Sequence, residues 1–248
     1  RVTAGKRVLL GDKRLPGVIA AKAIHMQKPE ERGFPAPIEE MFIDIGALSE
    51  ENTKSLVSVG DCAVFAPNFE TFGDGFIKSK AIDDRFGCAL LVRLLQSDLE
   101  YDAYFAFCTA EEVGCRGAMT VAQAVGADTV VVLEATTAGD IPGAPKSRVA
   151  CRVGGGAVVS FMDGGTIYPR GLVDAVMRLA EEKGIRAQLK ELVAGGNDAS
   201  AYQRAAAGAR VLALSAPVRY IHSACSVAKY DDLEQVFALA SALAERSF

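Results

Sequence analysis

The sequence predicts an α/β protein, with a mostly parallel sheet carrying helices on both faces and a small β-barrel-like domain ahead of it. Three observations carry this. After about Gly75, short apolar runs alternate with segments of helical period, as in parallel α/β units. The run Thr129-Val130-Val131-Val132-Leu133 is apolar on both sides of any strand it forms, which fits a central strand buried on both faces. Before Gly75 the chain instead shows short strands separated by turn residues. The boundary falls at about residue 70, giving a β-rich domain over 1–70 and an α/β domain over 71–248.

At 248 residues, half of them hydrophobic, the chain can bury a sizeable core. Its net charge is −4 and no basic run stands out, which argues against a nucleic-acid partner. No apolar run nears the ~20 residues needed to cross a bilayer, so no membrane role is expected. Residues 1–6 lack the apolar stretch of a signal peptide. Six cysteines, at 62, 88, 108, 115, 151 and 225, form no C-x-x-C pair. They read as free thiols in a reducing compartment, which places the protein in the cytoplasm.

In chain order, Lys6–Leu10 reads as a strand ending at Gly11-Asp12, and Gly17–Ala21 as a second. Gln27–Pro37 is broken by Pro29, Gly33 and Pro35 and reads as a loop. Met41–Ile45 is a short strand. Ser49 precedes Glu50 and Glu51 as an N-cap precedes a helix, here to about Val57. Cys62–Ala66 is the last strand of this region. Phe86–Leu95 then has apolar residues at helical spacing. Tyr101–Ala110 reads as a strand, Gly117–Val125 as a helix, Thr129–Glu134 as the central strand and Ala157–Met162 as another strand. Pro169–Lys183 is an amphipathic helix with Pro in its first turn and Gly184 after its end. Ala187–Leu192 is a strand, Asp198 caps a helix to Ala207, Ala209–Ser215 is a strand, and Asp231–Arg246 closes the chain as a helix.

The chemistry is expected at strand ends, where open α/β sheets bind ligands. The strand Tyr101–Ala110 runs into Glu111-Glu112, two like charges at the edge of a core that repel unless something compensates them. Asp83-Asp84 precedes the first helix of the second region. Glu134 follows four consecutive apolar residues, and His222 follows the extended Pro217–Ile221 segment. Carboxylates with one His in a strand-end cleft suit Zn²⁺, Co²⁺ or Mn²⁺. Each position has a plainer reading. Asp83 or Asp84 can cap a helix, Glu111-Glu112 can be a solvated pair, and His222 can be a satisfied side chain. His25 adjoins no acidic cluster and reads as structural. The joint pattern, four strand ends delivering acid, acid pair, acid and His, favours a metal site.

These motifs resemble the tetrahedral aminopeptidase and glutamyl aminopeptidase family of dinuclear metallopeptidases. The match is carried by Lys80–Gly87 (KAIDDRFG), Glu111–Ala118 (EEVGCRGA), Leu133–Asp140 (LEATTAGD), Gly195–Ala199 (GGNDA) and Arg219–Ser223 (RYIHS), in the family's order. Lys6–Ala66 resembles the family's small β-domain, which is inserted in the catalytic domain and supports assembly. The resemblance implies a metallo-exopeptidase-like α/β fold and two divalent ions per subunit, Zn²⁺ or Co²⁺, with Mn²⁺ a further option. It implies that Asp83 bridges the ions, that Glu112 and His222 complete one site, and that Glu134, where many relatives have Asp, serves the other. Glu111 becomes the general base acting on a metal-activated water, the Asp83–Asp84 peptide is cis, and Asp84, Asp140 and Asp198 support the ligands. Implied partners are peptide substrates and further copies of the chain, as dimers and tetrahedral dodecamers.

The sequence departs from the family at its start. Relatives carry an Ala-His-x-Asp motif ahead of the β-domain, and its His binds the ion shared with Glu134. The sequence opens at Arg1, after that motif. It is therefore expected to lack the N-terminal part of the catalytic domain, leaving three protein ligands at one ion and two at the other. Two alternatives follow: a catalytically impaired relative acting as an assembly or binding subunit, and an endoglucanase-type glycoside hydrolase pairing Glu111 with another carboxylate.

Overall fold

A computed structural model describes residues 3–205 and 207–246, in two compact units, Arg1–Phe69 and Glu70–Phe248. In the first unit, β1 (Arg7–Leu10) and β2 (Leu15–Ala20) form a hairpin. β3 (Phe42–Asp44), α1 (Glu50–Leu56) and β4 (Ala63–Phe65) follow. The Ser49 hydroxyl accepts from Asn52 N at 3.1 Å, so the cap read from the sequence is made. The sheet runs β3-β2-β1-β4, antiparallel throughout. Among the described residues it is an open sheet, not a closed barrel. Closure needs a ladder between β3 and β4, and none joins them among the described residues. The segment read as a loop holds three short 3₁₀ helices, Ile24–Met26, Pro29–Gly33 and Ile38–Glu40.

The second unit opens with β5 (Glu70–Phe72), β6 (Phe76–Ser79), α2 (Ile82–Leu95) and α3 (Arg116–Val125). It continues with β7 (Thr129–Thr137), β8 (Ala157–Val159), α4 (Arg170–Lys183) and β9 (Ala187–Leu189). α5 (Ala199–Arg204), β10 (Arg210–Val218), β11 (Ser226–Lys229) and α6 (Tyr230–Ala244) complete it. The main sheet runs β7-β10-β8-β9. β10 is parallel to β7 but antiparallel to β8, and β8 is parallel to β9. The sheet is thus mixed, where the sequence predicts a mostly parallel one. A parallel return needs a crossover, usually helical. The 138–156 connection holds only the 3₁₀ turn Lys146–Arg148, so β8 re-enters reversed.

The buried central strand is β10, not β7. Residues 211–218 of β10 are all buried, whereas β7 lies at the edge of its sheet with Val131 exposed. A continuous apolar run cannot say which of two such strands lies centrally. α6 sets Val236, Leu239 and Leu243 against this core at helical spacing. Each fully buried side chain of this size contributes roughly 1.5–3 kcal/mol of transfer free energy. A second correction concerns 101–110. Residues 102–108 form no strand, because a strand exists only through a partner, and β7 pairs with β10 alone among the described residues. The helix predicted to reach Ala207 ends at Arg204, and residue 206 lies outside the described residues.

Candidate metal centre

The small sheet β11-β6-β5 explains how Asp83 and His222 meet across 139 residues of chain. β6 and β11 pair antiparallel with Ser79 opposite Ser226. Four residues beyond Ser79 lies Asp83, and four before Ser226 lies His222. The hairpin carrying His222 is closed by Arg219 and Val227, which exchange backbone hydrogen bonds of 2.8 and 3.0 Å. His222 Nε2 then stands 3.2 Å from Asp83 Oδ2 and 3.4 Å from Glu112 Oε2. Glu112 arrives on a tight turn in which the N–H groups of Gly114 and Cys115 both donate to Glu111 O at 2.9 Å. The Asp83–Asp84 peptide is cis.

These spacings fit a cation. Ligands about 2.0–2.1 Å from a tetrahedral centre stand roughly 3.3 Å apart. One oxygen each of Asp83 and Glu112 and one nitrogen of His222 all lie within 4.8 Å of one another. A second group of the same kind, Glu111, Cys115 and Asp198, shares no member with the first. The adjacent glutamates therefore face different neighbours.

Asp83, Glu111, Glu112, Glu134, Asn197 and His222 line one cleft of about 250 Å³. Glu134 lies outside the group formed by Asp83, Glu112 and His222. Its Oε1 accepts from Asn197 Nδ2 at 2.9 Å and Ser215 Oγ at 3.1 Å. Ser215 is opposite Glu134 in the β7–β10 register, which explains the second bond. Desolvation pushes the Glu134 carboxyl up to about 8 and Glu111 up to about 7; Asp198 and Glu112 add like-charge repulsion at Glu111. Asp83 is raised by desolvation and then by Glu112, with His222 opposing. Asp84 is an exposed residue with its carboxyl turned inward: Oδ1 accepts from Gly87 N at 3.0 Å, and desolvation raises it.

The remaining predicted residues are placed differently. Asp140 takes both Arg219 donors at 2.8 Å and Val153 N at 3.1 Å, so it braces the root of the His222 hairpin. Asp198 makes no side-chain cap; Asn197 Oδ1 accepts from Ala199 N at 2.8 Å instead. Sequence reasoning gave no role to Lys190, which is 4% exposed, lines the cleft and donates to Ala194 O at 2.7 Å. A lone Lys near a strand end carries no signal of burial. It also passed over Asp163 and Tyr168, which pack behind Asn197.

A mixed α/β fold with four carboxylates and an imidazole lining one cleft is the arrangement of an α/β protein with a candidate metal centre. The model of the M42 glutamyl aminopeptidase family matches residues 1–239, and the chain belongs to that family. FrvX of Escherichia coli K12 is 33% identical over 229 residues, covering 91% of this chain and 64% of FrvX. The structure of an aminopeptidase from the archaeon Desulfurococcus kamchatkensis aligns with TM-score 0.92 and 32% identity, covering 100% of this chain and 70% of that one. The Pyrococcus horikoshii TET1 peptidase, described as assembling into a tetrahedron or a large octahedral shell, gives 0.84 and 31%, covering 99% and 73%. The chain thus spans about two thirds of the length of these relatives. No helix among the described residues is long and apolar enough to cross a membrane.

Proposed function

We propose that the protein is a metal-dependent aminopeptidase that removes N-terminal residues from peptides. The observation that carries this is the separation of the two glutamates, Glu112 beside Asp83 and His222, and Glu111 beside Cys115 and Asp198. Asp83, Glu112 and His222 hold one divalent ion. Glu134 joins Asp83 in holding a second. The ions are Zn²⁺ or Co²⁺ and, when bound, polarise the scissile carbonyl and lower the pKa of water. Glu111 stays free, takes a proton from the attacking water and returns it to the leaving amine. Its upward shift toward neutrality in the metal-free cleft fits a group that must both accept and release a proton. The remaining acidic surface of the cleft suits the positive N-terminus of a peptide.

The first unit is read as an assembly domain, and the chain as a self-associating one that forms dimers and tetrahedral dodecamers. The likeness to TET1 supports this. Six free cysteines support a reducing compartment, the cytoplasm. The test is release of the first residue from aminoacyl-anilides and short peptides by the purified protein, loaded with Co²⁺ or Zn²⁺ and then stripped by chelator. Activity that survives stripping, or none when loaded, refutes the proposal. Chelator-insensitive cleavage of a β-glucan would favour the glycoside hydrolase instead, which no contact in the cleft supports.

A further inference from the structure

We propose that Asn197 is a positioning residue that fixes which oxygen of Glu134 faces the cleft. The proposal rests on the reading of Glu134 as a cation ligand. Asn197 is 3% exposed and its orientation leaves little freedom. Its Oδ1 accepts from Ala199 N at 2.8 Å, in the first turn of α5. That bond turns the NH₂ group toward Glu134 Oε1 at 2.9 Å and Tyr168 OH at 3.0 Å, with Asp163 Oδ2 further off at 3.4 Å. The Tyr168 hydroxyl spends its own proton on Asp163, 2.6 Å away. Its oxygen is therefore an acceptor toward Asn197, and one amide hydrogen goes to Tyr168 while the other goes to Glu134. Asp163 is itself held by Gly165 N at 2.8 Å and is 3% exposed, so the chain of bonds ends on a fixed side chain. With Oε1 committed to Asn197 and Ser215, Oε2 is the oxygen left to a ligand. A carboxylate without such anchoring would sample both oxygens and several rotamers, and partners of this kind typically change metal affinity about 10–100-fold.

The test is titration of chelator-stripped protein with Co²⁺, followed by calorimetry and by visible absorption of the bound ion. Wild type should bind in two steps. Asn197→Asp keeps the side chain's size and its acceptor for Ala199 N but replaces the donor with an acceptor; Asn197→Leu removes both. Both variants should weaken the second step about 10–100-fold, shift its absorption and leave the first step within about twofold. Two wild-type steps in Asn197→Asp overturn the proposal. So does an effect confined to Asn197→Leu, which would mean that the side chain only fills space. If thermal melts show that neither variant folds, Tyr168→Phe tests the same chain of bonds, and an unchanged second step there overturns it. Glu134→Gln checks the underlying reading separately. If it leaves both steps unchanged, Glu134 is no ligand; if it abolishes the second step while Asn197→Asp does nothing, only the role of Asn197 fails.

Discussion

Gly87→Ala puts one methyl group where α2 crosses β7. A Cβ at this position would lie 2.3 Å from Leu133 O and 2.3 Å from Asp84 Oδ2, with Asp84 Oδ1 at 2.8 Å. Ordinary Cβ contacts begin at 3.4 Å, so the helix and strand must separate by roughly 1 Å. Leu133 cannot give way alone, because it belongs to the β7–β10 ladder with Leu214 opposite. Overpacking against backbone costs about 3 kcal/mol, the upper end of the usual range. For a domain of this size that lowers Tm by about 6–12 °C. The loss should reach the site, because Asp83 lies four residues before Gly87 and Glu134 directly follows Leu133. Ligand distances tolerate shifts of only about 0.2 Å. Thermal melts of the stripped and Co²⁺-loaded protein measure both effects. A Tm within 2 °C of wild type, with unchanged metal stabilisation, would refute the close approach and the coupling drawn from it.

Glu111→Gln should lower kcat by about 10²–10⁴ while metal content, measured by atomic absorption, stays at the wild-type level; loss of metal would mean that the roles of the two glutamates are reversed. Metal affinity should rise with pH. Among the proposed ligands Glu134 is raised to about 8, so near pH 6 a proton occupies a position that an ion needs, and calorimetry from pH 6 to 8 should show about tenfold tighter binding of that ion per pH unit. The same shift makes the stripped fold lose stability as pH rises from the unfolded carboxyl range through about 8, since the folded state must then carry buried charge, and bound Co²⁺ should remove that slope in melts across the range. Ala110→Gly should leave Tm unchanged or raise it by a few degrees, because Ala110 sits at φ +58, where a Cβ costs about 1–2 kcal/mol and glycine none; an ordinary Ala→Gly loss in a melt would contradict that backbone.

Sequence patterning made the α/β character legible because alternation of period needs no tertiary knowledge. α4 and α6 fall within two residues of their predicted bounds for that reason. The same patterning could not order the sheet. β7 and β10 are both apolar runs, and only the pairing shows that β10 is flanked on both sides. The 102–108 segment has the apolar content of a strand but forms none, because strand character depends on a neighbour. In the site, carboxylates interrupting apolar runs stand out in the sequence, as Glu111, Glu112 and Glu134 do, although Glu134 lies within β7 and Glu112 follows no strand. Lys190, Asp163 and Tyr168 do not, since burial of a polar residue becomes apparent only when its partners are packed around it. Nor did the sequence disclose that Ala81, Ala110, Cys115, Tyr220 and His222 take left-handed φ values, because none of them is glycine.

Those left-handed residues bear on how the site divides its work. Ala81 precedes Asp83 by two positions, Ala110 immediately precedes Glu111, and His222 is itself left-handed. Every turn that delivers a side chain to the centre thus contains a backbone conformation that L-residues avoid, at about 1–2 kcal/mol each. Strain of this kind persists where the surroundings over-determine it. Here the surroundings are also electrostatically unfavourable without a cation. Asp83, Glu111, Glu112 and Glu134 share one cleft, and two like charges 5 Å apart cost roughly 3 kcal/mol at an effective dielectric near 20. Lys190 alone cannot offset four carboxylates, and its ammonium is bound to Ala194 O. Desolvation first, and then like charge, raises Asp83, Glu111 and Glu134 together. On the proposed reading, a divalent ion would relieve the repulsion at Glu112 and Asp83 and would leave Glu111 beside Cys115 and Asp198. On that reading a glutamate placed there would keep access to a proton without being consumed as a ligand. The turn that follows left-handed Ala110 is the feature that separates it from its neighbour.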